Sequence, residues 1–121
     1  MTTHNEMVRA LTKPGTEILE SLTPAKAHLM HMAMGISGEA GETLDLIKKH
    51  IAYNKPLDYA HIVEELGDIE YYLEGLRQGL NLTREFILEE NVKKLSKRYP
   101  GLNYSDSAAV EIGRASCRER V

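Results

Sequence analysis

Apolar residues recur through most of the chain at steps of three and four. One series is Leu29, Ala33, Ile36, Ala40, Leu44, Ile47 and Ile51; a second is Ile62, Leu66, Ile69, Leu73, Leu76 and Leu80. Such steps keep residues on one face of an α-helix, as in the stripes of a helical bundle. A shorter stripe, Leu88, Val92, Leu95 and Tyr99, follows near the end. No stretch of useful length alternates with period two, so the pattern predicts an all-α chain. Local signals place the ends. Thr23-Pro24 offers an N-cap followed by proline at the first helical position, and that helix runs to about Tyr53, before Asn54-Lys55-Pro56. Asp58 caps a second helix to about Leu80. After a turn over Asn81–Thr83, a third runs from Arg84 to about Tyr99, where Pro100-Gly101 stops it. Residues 1–22 are mixed, with a short helix near Glu6–Leu11 and a break at Lys13-Pro14-Gly15. Two long stripes on so short a chain predict a bundle completed by dimerisation. The last helix, charged on its other faces, is expected to cover that bundle from one side.

Polar residues inside the long helices form rows of their own. One position over from the first stripe lie Met32, Gly35, Glu39, Glu42 and Leu46; beside the second lie His61, Glu65, Asp68, Tyr72 and Gly75. Residues three apart are neighbours on a helix, so each row carries a close acidic pair. If the two helices pack antiparallel through their stripes, Glu39, Glu42, Glu65 and Asp68 converge. Four like charges at a half-buried seam repel, and a hard divalent cation such as Mg²⁺ or Mn²⁺ resolves this because it takes oxygen ligands. Gly35, Gly38 and Gly41 repeat every third residue, and Gly67 sits inside the second pair. Glycine in a helix interior costs about 1 kcal/mol against alanine, and here it would let a backbone or a ligand approach the carboxylates.

Composition narrows the class. The 121 residues suffice for one domain, taken as residues 1–111 with a core over 23–101. The formal net charge of -3 gives no basic footprint for nucleic acid. No apolar run approaches a membrane span and no secretory signal heads the chain, so a cytoplasmic protein is expected. Cys117 is the sole cysteine, which leaves no disulfide framework and no cysteine metal cluster. His28, His31 and His61 could be ligands, though a lone histidine is more often a satisfied or exposed side chain. The methionines read as pliable core or pocket, and Tyr71 and Tyr72 as packing residues with hydroxyls near the rim. A di-iron carboxylate bundle is disfavoured, since neither acidic pair has histidine three residues on.

Glu39-x-x-Glu42, followed after 22 residues by Glu65-x-x-Asp68, resembles the metal-binding segments of the MazG-like nucleotide pyrophosphohydrolases, members of the all-α NTP pyrophosphatases. The stretches GEAGETLDLIKK and EELGDIEYYLEGL carry the likeness, and NVKKLSKRYPG is similar to the segment that follows in phage-type members. The resemblance spans about Ala27 to Glu111. It implies Mg²⁺-dependent hydrolysis of a nucleoside triphosphate to monophosphate and pyrophosphate, by homodimers or homotetramers. It implies Glu39, Glu42, Glu65 and Asp68 as metal ligands, with a glutamate of the first pair as the group that orients water. It implies Asn91 and Lys94 as substrate contacts, with Lys94 suited to a phosphate. Arg98 continues that face, and Lys48 and Lys49, beyond Glu42, are further basic candidates. A different class stays open beside it: a helical interaction module whose carboxylates only solubilise it. Lastly, IGRASCRERV, residues 112–121, is arginine-rich and unpatterned and resembles a translated cloning adapter, in which case the natural C-terminus is missing.

Overall fold

The computed structural model describes residues 1–111, so the adapter-like tail lies outside the described residues. Among the described residues the chain is all-α: α1 (His4–Leu11), α2 (Gly15–Ser21), α3 (Pro24–Ala52), α4 (Tyr59–Leu80) and α5 (Arg84–Arg98), then a 3-10 turn over Pro100–Leu102. The helix starts follow the expected caps. The Thr23 hydroxyl accepts from the Lys26 N–H at 3.2 Å, Asp58 Oδ1 from the His61 N–H at 3.1 Å, and the Thr83 hydroxyl from the Phe86 N–H at 3.1 Å. Each satisfies a donor that the first turn would leave unpaired. Asn54 (φ 55°) and Asn81 (φ 56°) take the left-handed conformation just past the two long helices, where asparagine is among the residues that tolerate it. The Lys13-Pro14-Gly15 break also begins a helix: the Pro14 carbonyl accepts from the Glu17 and Ile18 N–H groups, and α2 follows directly.

The chain divides into two compact units, residues 1–80 and residues from 81 on. In the first, α3 packs on α4. Three glycines receive the facing side chains: a Cβ at Gly35 would stand 2.2 Å from the Tyr72 ring, one at Gly75 2.2 Å from Met32 Sδ, and one at Gly79 2.7 Å from the His28 ring. As the α3 partner steps back from Gly35 to Met32 to His28, the α4 partner steps forward from Tyr72 to Gly75 to Gly79, so the helices are antiparallel. His28 Nε2 also bonds the Gly75 carbonyl at 2.8 Å, and Tyr71 meets Tyr72 edge to face.

These sockets set a seam different from the expected one. Leu29, Met32, Ile36, Glu39, Thr43, Leu46 and Ile47 of α3 turn inward, against Ile62, Glu65, Ile69, Tyr72, Leu73 and Leu76 of α4. Leu44, Ile51, Leu66 and Leu80, counted in the stripes, are exposed. The acidic rows thus run along the seam itself, and part of each apolar stripe faces away from it. The physical reason is closeness: glycine lets backbones approach on that side, and a stripe wider than one helix contact leaves its far edge over. Among the described residues Met32 is the one buried hydrophobic side chain, and neither α1 nor α2 buries any residue. No helix is long and apolar enough to cross a membrane.

In the second unit α5 ends on Tyr99, whose ring stacks on Tyr104 at 6.3 Å, and Arg98 Nη1 meets Glu111 Oε2 at 2.9 Å.

Candidate metal centre

Midway along the α3–α4 seam, three of the four expected carboxylates converge. Glu39, Glu42 and Glu65 each offer an oxygen within 4.8 Å of the others. Their burial differs: Glu65 is only 6% exposed, Glu39 is half-buried, and Glu42 faces solvent. Glu39 Oε2 and Glu65 Oε2 are both buried without a hydrogen-bond partner. Asp68, one turn beyond Glu65, is not among the three; it lies on the exposed edge and acts on Glu65 through its charge.

Such crowding moves the protons. The Glu39 carboxyl is pushed up to about 7, first by its hydrogen bond to Glu65, then by burial and by the negative charge of Glu42. Glu65 is raised too: the hydrogen bond from Glu39 lowers it, but burial and its neighbours Glu42 and Asp68 outweigh that bond. Two adjacent carboxylates resist ionising together, so Glu39 keeps its proton to higher pH than an ordinary glutamate does.

A pH dependence follows, with its sign set by the raised value. Between about 4.5, the ordinary glutamate value, and about 7, the folded metal-free protein holds a proton on Glu39 that the unfolded chain has released. The stabilisation is complete below that window and is lost as pH rises through about 7. Thermal melts of metal-free protein should therefore show the melting temperature rising as pH is lowered from 8 towards about 5. Glu39→Gln should flatten that part of the profile; an unchanged slope in the variant would assign the dependence to another group.

Beside the carboxylates opens a groove of about 590 Å³, lined by Gly38, Gly41, Glu42, Asp45, Leu46, Lys49, His61 and Glu65. Gly38 and Gly41 have open space where a Cβ would stand, so in place of close packing they keep this wall low. Gly67 likewise meets nothing. Lys49 does lie in the groove, paired with Asp45 at 2.9 Å, whereas Lys48 sits over the Tyr53 ring. His61, for which the sequence favours a satisfied or exposed side chain, stands in the groove with Nε2 3.2 Å from Glu65 Oε1. Asp45 was also missed. Both carried a usable signal: His61 precedes Glu65, and Asp45 precedes Lys49, by the four residues that make helical neighbours.

Asn91, Lys94 and Arg98 share one face of α5. With Lys93 and Lys97 they line one groove of about 600 Å³ along α5, in the second unit. No protein-family model matches the chain, and no curated protein and no solved structure matches it.

Proposed function

We propose that this protein is a divalent-metal-dependent nucleoside triphosphate pyrophosphohydrolase, acting in the cytoplasm as a homo-oligomer. The observation that carries the proposal is the pair of buried, partnerless oxygens of Glu39 and Glu65, close to a third carboxylate. Burying a carboxylate without a partner is costly, and a bundle needs no acid at its seam. A hard cation that accepts these oxygens turns the liability into a site.

Glu39, Glu42 and Glu65 would hold Mg²⁺ or Mn²⁺, with Asp68 adding negative charge beside them. Such an ion neutralises phosphate charge and makes a bound water more acidic. The protein's own groups do the rest. His61 orients Glu65 through the contact at Oε1. One glutamate of the first pair, in place of binding the ion, would orient the attacking water and accept its proton. Oxygen bonds to the α-phosphorus, the bond from that phosphorus to the α–β bridging oxygen breaks, and pyrophosphate leaves. Lys49, in the carboxylate groove, supplies positive charge for the phosphate chain; the likeness of Asn91 and Lys94 to substrate contacts of the pyrophosphohydrolases adds them, with Arg98 on the same helix face, as further phosphate donors. The non-catalytic interaction module has the exposed apolar edge of the hairpin in its favour, but it gives the buried carboxylates no purpose.

Two measurements on purified protein test this. Millimolar Mg²⁺ or Mn²⁺ should raise the melting temperature, because a ligand specific for the folded state stabilises it. A panel of ribo- and deoxynucleoside triphosphates with Mg²⁺ should release pyrophosphate rather than orthophosphate. Absence of both the thermal shift and pyrophosphate release would sink the proposal.

A further inference from the structure

Lys49 has two sets of carboxylates within its compass. Glu42, Asp45 and Lys49 follow one another at steps of three and four, so they share one face of α3, and with Glu65 they line the same groove. Helical side chains lean towards the N-terminus of their own helix. The stem of Lys49 therefore runs back over Asp45 and on towards Glu42, which lies two turns, about 10.5 Å, before it. An ammonium on so long and flexible a stem is a natural counter-ion for a crowd of carboxylates. Settled among them, it would cancel the charge that draws a cation, and a divalent ion would have to displace it.

Lys49 is held elsewhere. Its Nζ meets Asp45 Oδ2 at 2.9 Å, and among the described residues no ion pair joins Lys49 to Glu42 or Glu65. The Lys49 ammonium is raised first by its hydrogen bond to Asp45 and then by the charge of Asp45, and the Asp45 carboxyl is lowered by the same two causes in the same order. Glu39 and Glu65 are shifted by burial and by their acidic neighbours, with no part played by Lys49. Asp45 itself stands outside the three-carboxylate cluster.

We propose that Asp45 is a positioning residue: it holds Lys49 at the groove wall, off the carboxylates, so that the cluster keeps its charge for the cation and the ammonium stays ready for phosphate. The pair suits both halves of that task. It is a contact across one helical turn, formed without help from the rest of the fold. Both side chains are about half exposed, and an ion pair so exposed is weak, so a phosphate oxygen can take the ammonium over. The inference rests on the metal centre proposed above and adds a residue to it; its test reads cation binding, not turnover.

The test is Mn²⁺ binding to the full chain, followed by titration calorimetry or by loss of the free-ion paramagnetic resonance signal. Asp45→Asn should weaken Mn²⁺ binding by about fivefold, as the released Lys49 turns towards Glu42. Asp45→Glu, which can still pair with Lys49 across one turn, should bind like the parent. Lys49→Met should bind at least as tightly as the parent. The deciding variant is the double one: with Lys49→Met in place, adding Asp45→Asn should change binding by less than about twofold. If Asp45 only lends its own negative charge to the site, Asp45→Asn weakens binding by the same factor in both backgrounds, and the proposal is overturned. Parent protein that binds Mn²⁺ no better than Asp45→Asn does overturns the proposal alone; a parent that binds no Mn²⁺ overturns it together with the metal centre.

Discussion

Replacing Glu39 by glutamine is expected to abolish the response to Mg²⁺ and to lower pyrophosphate release by about 10²–10⁴-fold, the range for removing a group that handles protons in the reaction. Glutamine keeps the shape of the side chain and an N–H donor for Glu65, but it offers the cation a neutral oxygen and cannot take up a proton. Since Glu39 is pushed up to about 7 in the metal-free protein, glutamine resembles the protonated state already present there. The metal-free variant should therefore melt at or above the parent temperature near neutral pH. This combination separates a site residue from a structural one. A structural carboxylate would lower stability when replaced and leave any residual activity metal-dependent. Variant protein that hydrolyses triphosphates at the parent rate under saturating Mg²⁺ would remove Glu39 from the chemistry.

Lys94→Ala should reduce kcat/KM by about ten- to a hundredfold, which corresponds to losing a charge-assisted contact of about 1.5–3 kcal/mol. The thermal shift with Mg²⁺ should persist, because a protonated lysine has no lone pair for a metal. Lys94 shares its groove with Asn91 and Arg98, and three donors along one helix face suit a polyanion. Arg98 meets Glu111 at 2.9 Å, so Arg98→Ala removes that ion pair as well. A parent-like rate in Lys94→Ala would detach α5 from substrate while leaving the carboxylate centre intact.

The helices were legible because their ends are written locally. Threonine or aspartate caps at Thr23, Asp58 and Thr83 act within one turn, and the structure uses all three. Convergence of Glu39, Glu42 and Glu65 was legible because spacing three on each of two antiparallel helices leaves few other arrangements. The seam was not legible. Periodicity gives the width of an apolar stripe but not which part of it the neighbour takes. That choice fell to Gly35, Gly75 and Gly79, whose partners Tyr72, Met32 and His28 lie 37 to 51 residues away in the chain. It moved Glu39 and Glu65 from the margin of the contact into its middle, and left Leu44 and Leu66 outside. His61 was passed over for a related reason. Its worth depends on the burial of Glu65, which is a property of the packed pair and not of either helix alone.

The three sockets also bear on how the centre exchanges its cation. Tyr72 in Gly35, Met32 in Gly75 and His28 in Gly79 hold the two helices in one register from the protein side alone. Sliding α4 by a turn would drive each of these side chains against backbone that has no room for it. The spacing of the carboxylates is then a property of the scaffold, in contrast to small metalloproteins whose ligands assemble only as the ion binds. Loading and unloading need not involve unfolding, so the ion should come and go on the timescale of water exchange and diffusion, and chelation should leave a helical, reloadable protein. Affinity is then tuned by charge: by how many of the clustered carboxylates are ionised when the cation arrives.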